Sequence, residues 1–135
     1  MKKKLGILII LGLIVGSVIA YTQYNKPHRN IAEEKAYVNI SANNLFDVFN
    51  ENETFANLEY LDKVIKVIGD ISEISQDKEN KQVVTLEAEN AMFGGVICTL
   101  SESNEDIIIG DQVALKCRCT GFLDDVILVD CTLEK

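Results

Sequence analysis

Between Leu61 and Leu133 the chain holds five runs that alternate apolar and polar residues in steps of two, with no long helical pattern between them. Such alternation puts one row of side chains in a core and the next mostly in water. It is cleanest at the end. Val113, Leu115, Cys117 and Cys119 alternate with Ala114, Lys116 and Arg118, and after Thr120-Gly121 the chain resumes as Asp125 to Leu133. The first half of that last run is apolar on both faces, which predicts the more enclosed strand of a hairpin. Upstream, Ile65, Val67, Gly69 and Ile71 share one face of a run from Leu61 to Ile74, Val84, Leu86 and Ala88 one face of Gln82 to Glu89, and Val96 to Leu100 forms a third strand. A glycine in mid-strand marks a bend or a close backbone approach. Short strands at this spacing predict an all-β sandwich or small barrel. The bent first strand favours the barrel, whose closure leaves no exposed edge.

A helix should cover one end. Ser41 offers an N-cap, and Ala42, Leu45, Phe46 and Phe49 follow at i, i+3, i+4 and i+7. Asn50 to Asn52 interrupts, and Glu53 to Leu58 makes a further helical turn. Phe46, Phe49 and Phe55 are the expected aromatic core, so residues 41–135 read as one domain.

Ahead of it, Lys2-Lys3-Lys4 precedes Leu5 to Tyr21, seventeen residues without a charge. As a helix this run measures roughly 25 Å, near the minimum for crossing a bilayer. Two readings compete: a transmembrane anchor at 5–21, and a signal peptide cleaved after Val18-Ile19-Ala20. The unbroken length favours the anchor. No cysteine follows the run, which disfavours a lipid-anchored lipoprotein. Lysines before the span keep residues 1–4 in the cytoplasm, so the chain is expected to be a single-pass protein of the cell membrane with its C-terminal domain outside the cytoplasm, in the periplasm. Gly12 and Gly16 read as two small residues in a helix rather than a dimer motif. Residues 22–40 read as a juxtamembrane linker, with Tyr21 and Tyr24 at the headgroups, Pro27 ending the helix, and His28, the sole histidine, solvated beside Lys26 and Arg29.

The net charge is −8, but it is uneven. Residues 30–135 contain eight basic and twenty-one acidic residues, a net charge of −13. Such a domain repels phosphate backbones. Lys63, Lys66, Lys116 and Arg118 are the residues that could build a basic ligand face. Single-strand readers pair a positive groove with aromatics, whereas the strands here offer Phe93 at most. No catalytic constellation is visible, Asp124-Asp125 reads as a turn, and neither a cofactor nor a metal is expected. The domain is therefore expected to be a non-enzymatic binding module whose partner is a protein or a small molecule. A nucleic-acid-binding OB domain is the alternative. A membrane-anchored haem chaperone has a similar layout but needs a histidine on its C-terminal tail, and none is present.

Four cysteines, Cys98, Cys117, Cys119 and Cys131, can all point inward. They read either as small buried hydrophobes or as one or two disulfides formed outside the cytoplasm. Zinc is disfavoured, because Cys-x-Cys within one strand is not the usual two-residue-spaced knuckle. A Cys117–Cys119 bridge is disfavoured too, since residues two apart along a strand are separated by roughly 6.6–6.8 Å.

The hairpin resembles a family of bacterial OB-fold proteins termed tRNA anticodon-like, with many members in Bacteroidetes. Its terminal pattern, G-x-x-V-x-(V/I)-K-G-x-C-x-G-x-x-x-D-V-x-L-x-x-C, falls on Gly110, Val113, Leu115, Lys116, Cys119, Gly121, Asp125, Val126, Leu128 and Cys131, with Cys117 in place of the second glycine. Tyr60 to Val64, Gly69, the segment Tyr24 to Arg29 and the preceding anchor are similar as well. The resemblance implies a five-stranded OB barrel with an N-terminal helix. It also implies that any disulfide joins Cys119 to Cys131, the two that match the family's cysteines. It implies little about activity, because fold does not fix function.

Overall fold

The computed structural model describes residues 2–25 and 29–134. The expected helix stop at Pro27 and the solvated His28 lie outside the described residues. Helix α1 spans Lys2–Tyr24. It is followed by strand β1 (Val38–Ser41), helices α2 (Ala42–Glu51) and α3 (Glu53–Tyr60), and strands β2 (Val64–Gln76), β3 (Gln82–Glu87), β4 (Gly95–Leu100), β5 (Gln112–Leu123) and β6 (Asp125–Glu134).

The last five strands close on themselves. β2 pairs with β3, β3 with β4, β4 with β6, β6 with β5, and β5 returns to β2. Only β4 and β6 run parallel within this ring. This is the OB order, and the all-β barrel expected from the alternation is what forms. β2 is long because it serves two neighbours: residues 64–70 pair with β5, and residues 71–76 with β3. Its first half would leave one edge bare. β1 fills that edge as a short parallel ladder, from Val38 opposite Ile65 to Ser41 opposite Ile68.

The inward positions are those that alternation selected. Ile65, Val67, Ile71, Val84, Leu86, Val96, Leu115 and Leu128 are buried, and so are all four cysteines. α2 closes one end. Ser41 Oγ accepts the Asn44 N–H, satisfying a donor that the first turn leaves free. From this helix Phe46 and Phe49 reach into the barrel mouth, with ring centroids 5.9 Å and 5.8 Å from that of Phe122. Gly69 permits the approach: a Cβ there would stand 2.8 Å from Ala42 Cβ.

Two expectations fail locally. Phe55 is 55% exposed rather than core. In α3 the inward position belongs to Ala56, and a rotation of about 100° per residue turns Phe55 to the surface. The first long strand starts at Val64, not Leu61, because Asp62 takes a left-handed backbone at φ 60° and makes a turn there.

α1 is apolar all round. Every large apolar side chain from Leu5 to Ile19 is more than half exposed. It is the one helix among the described residues long and apolar enough to cross a membrane.

Candidate ligand-binding face

The four basic residues singled out in the sequence do come together, on the outer surface of β2 and β5, but not as an open face. Lys66 and Lys116 are directly opposite each other across the β2–β5 ladder. Two like charges so placed repel unless something lies between them. Glu134 at the end of β6 does so, 2.7 Å from Lys66 Nζ and 3.4 Å from Lys116 Nζ. The Lys66 hydrogen bond, reinforced by Lys116, holds the Glu134 carboxyl below the usual carboxylate range. Arg118 spans Asp130 at 2.9 Å and Asp62 at 3.4 Å. Lys63 lies 3.9 Å over the centre of the Tyr37 ring, and the Tyr37 hydroxyl donates to Glu59 at 2.6 Å.

Two of the four, Lys116 and Lys63, fasten the linker. Lys116 Nζ donates to the carbonyl oxygens of Ala32 and Glu34, each at 2.9 Å. Ile31 is buried. Arg29 grips Glu34 through Nε and through Nη2, the latter at 2.7 Å, and donates from Nη1 to the Asp62 carbonyl at 3.0 Å. That grip holds the Glu34 carboxyl low as well. The polar run from Arg29 to Tyr37 is thus strapped along the barrel wall. The sequence gives no pattern for this, since the contacts that tie the run to the barrel, from Lys116 and to Asp62, join residues far apart in the chain.

Beneath the strap lies the disulfide, and its pairing corrects an expectation. Cys117 is bonded to Cys131, whereas Cys119 is a free buried thiol. The register explains this. Counting back from the turn at Asp124, with Leu123 opposite Asp125, puts Cys117 opposite Cys131 and takes Cys119 to Val129. Two compensating irregularities, one with Asp130 left-handed at φ 54°, leave Cys119 beside Leu128 and restore the first count by Lys116–Thr132. Cys119 and Cys131 therefore never face each other. Hairpin arithmetic was the signal that would have found the pair. Burial pushes the Cys119 thiol up to about 11, with a hydrogen bond from the Gly121 backbone pulling the other way.

The opposite wall is different. The outward residues of β3, β4 and β6 meet in register: Val83 opposite Thr99, Thr85 opposite Ile97, and Ile97 opposite Ile127. None is charged. At one end of this wall a groove of about 660 Å³ lies between the β2–β3 turn and the ends of β4 and β6. Thr99 and Val129 lie along it. Lys78 and Lys81 stand at its rim together with Asp77, Glu79 and Asp130, and Lys81 is paired with Glu79 at 3.3 Å. A larger hollow of about 940 Å³ adjoins Arg29 on the other side and carries Glu102, Glu105 and Asp106. Among the described residues no aromatic lines either hollow. Neither, then, combines surplus positive charge with a stacking surface.

The family profile named tRNA_anti-like matches residues 1–133, the apolar helix included. The chain belongs to the tRNA_anti-like family. Among solved structures, this member is similar to a lipoprotein from Klebsiella pneumoniae subsp. pneumoniae described as a candidate nucleic acid-binding protein. The two are 17% identical, with a TM-score of 0.53 over 72% of this chain and 91% of that one. At that identity the likeness is one of fold. A candidate aspartyl-tRNA synthetase from Leishmania major is also similar, at 10% identity over 87% of this chain and 25% of that one, with a TM-score of 0.48. No curated protein matches the sequence.

Proposed function

We propose that this tRNA_anti-like protein is a membrane-anchored, extracytoplasmic binding module with no catalytic role, and that its neutral-to-acidic OB face receives a protein or small-molecule partner. The observation that carries the reading is the commitment of its basic residues. Lys66, Lys116, Arg118 and Arg29 all hold carboxylates or linker carbonyls, so among the described residues of the β2–β5 wall only Lys63, seated over the Tyr37 ring, is without an anionic partner. The wall that remains open is uncharged at its centre, carries Glu87 and Asp125 at one end of its strands, and is ringed by further acids. Counterion release, the main source of affinity for nucleic acid, requires the reverse.

The anchor follows from α1. A helix apolar on every side, with side chains unpacked against protein, is stable where lipid surrounds it, and the lysines before it favour an outward-facing domain. The disulfide supports the same side, since such bonds persist in oxidising compartments. If α1 stays attached, the barrel stands close to the bilayer, because only residues 25–28 separate Tyr24 from Arg29, where the strap begins. Four extended residues reach roughly 14 Å at most.

Fractionation of cells expressing the full chain, with an alkaline wash and external protease on spheroplasts, tests this reading. The expected result is a membrane-retained protein with peptides upstream of Ala20, degraded by added protease. A mature N-terminus at Tyr21 in the soluble fraction contradicts the anchor, and protection from protease contradicts the location.

A further inference from the structure

Three of the four core sulfurs form a group. The Sγ atoms of Cys98, Cys117 and Cys131 all lie within 4.8 Å of one another. The strand order produces this. β6 lies between β4 and β5, and the inward Cys131 of β6 has an inward cysteine on each neighbour: Cys117 on β5 and Cys98 on β4. On the β4 side the ladder sets Leu100 opposite Cys131 and Cys98 opposite Leu128, with an irregularity between the two pairs, which brings Cys98 near the bridge. Cys119, two residues along β5 from Cys117, is outside the group.

Three sulfurs so close could hold a soft metal once reduced, but the surroundings argue otherwise. All three residues are at most 1% exposed and sit among Val and Leu side chains. Three thiolates around one monovalent or divalent ion would leave net negative charge in an apolar core, a costly burial. Exchange of the disulfide keeps the core neutral.

We propose that Cys131 is the shared member of a two-position disulfide, bonded to Cys117 in one form and to Cys98 in the other. The Cys98 thiolate attacks Cys131 Sγ. The Cys98–Cys131 bond forms, the Cys117–Cys131 bond breaks, and the departing Cys117 thiolate takes up the proton that Cys98 gave up. Nothing is oxidised or reduced overall, and the protein keeps two free thiols throughout. The crosslink moves from the antiparallel β5–β6 pair to the parallel β4–β6 pair. Burial raises the Cys98 thiol far above its ordinary value, so the thiolate is scarce and exchange is slow in the closed barrel. It quickens when β4 and β6 separate locally, because rates follow the thiolate fraction and access to the sulfur.

The experiment uses the full chain in detergent, with non-reducing peptide mapping after acid quench. In a glutathione buffer whose disulfide form is the oxidant, Cys117→Ser should form a Cys98–Cys131 bridge, leaving Cys119 as its single free thiol. Cys98→Ser should keep Cys117–Cys131. The wild-type protein, held in mild denaturant without added oxidant, should yield Cys98–Cys131 peptides in excess of Cys119–Cys131 peptides, at a constant two free thiols per chain. This last arm stands even if a variant fails to fold. Three free thiols in a folded Cys117→Ser protein would overturn the proposal. So would wild-type protein that yields only its original bridge, or that yields Cys119–Cys131 as readily as Cys98–Cys131.

Discussion

The two walls of one barrel have opposite chemistry. The β2–β5 wall carries Lys66, Lys116 and Arg118, and every one of them is bound to a carboxylate. The β3–β4–β6 wall carries Val83, Thr85, Ile97, Thr99 and Ile127, with no cation among them and two acidic residues, Glu87 and Asp125, at one end. A sequence reader finds cations and looks for a ligand beside them. Here Lys116 fastens a segment of the same chain, Lys66 and Arg118 are held by carboxylates of the barrel itself, and the wall without cations is the one the strap leaves uncovered. Charge on a strand face signals a ligand site only if its partners are missing.

Several substitutions would break or sharpen this contrast. The largest effect is expected where the strap buries Ile31. Ile31→Ala removes a buried side chain and should cost about 2–3 kcal/mol, toward the low end for large-to-small changes because a strap can settle. Chemical denaturation of the full chain in detergent measures it, and a change below a few tenths would mean that the strap does not pack. Next is Lys116→Ala, which leaves the carbonyl oxygens of Ala32 and Glu34 without their donor and Glu134 with Lys66 alone. A loss of about 1–3 kcal/mol is expected, with faster amide hydrogen exchange confined to residues 29–37. Exchange that rises over the whole barrel instead would show that Lys116 serves the sheet and not the strap.

Smaller again is a pH effect. The Glu134 carboxyl is held low in the folded protein by Lys66 and then Lys116. A lowered folded value adds stability above the unfolded value and loses it as pH falls through the folded one, so the contribution fades below about pH 4. Glu134→Gln should flatten the melting temperature between pH 6 and 3 relative to wild type, and parallel curves would contradict the bridge. The smallest effect is expected on the open wall. Thr99→Lys sits on a half-buried surface strand with nothing to break, and should change stability by no more than about 0.5 kcal/mol. A larger loss would show that this wall is not free.

Much of the barrel was legible because its signal is local. Alternation at Val113–Cys119 and Val84–Ala88 names inward residues one strand at a time, and Ser41 with Leu45, Phe46 and Phe49 does the same for α2. Gly69 announced a close approach without naming Ala42 as the neighbour. Phe55 was misplaced because a two-turn helix offers too few residues for a stripe, and Ala56 is too small to advertise the inward face. The strap was invisible, since Lys116 meets Ala32 and Glu34 only after the barrel has closed. The disulfide was misread for a different reason. The family pattern points to Cys119, whereas Cys117, the residue that departs from that pattern, is the one that bonds.

The central claim is that no wall of this barrel offers phosphates a field they can use. A fluorescence-anisotropy titration of the full chain in nanodiscs of zwitterionic lipid, with single-stranded DNA and RNA oligonucleotides at low and moderate salt, tests it most directly. The expected result is no binding at either salt, up to protein concentrations of about 10⁻⁴ M, the weak end of non-specific affinity. Micromolar binding that weakens with salt would contradict it. If Lys78→Ala with Lys81→Ala then abolished the signal, the open groove would be a nucleic-acid site after all; if Lys116→Ala with Arg118→Ala did so, the strap would be a cover that nucleic acid displaces.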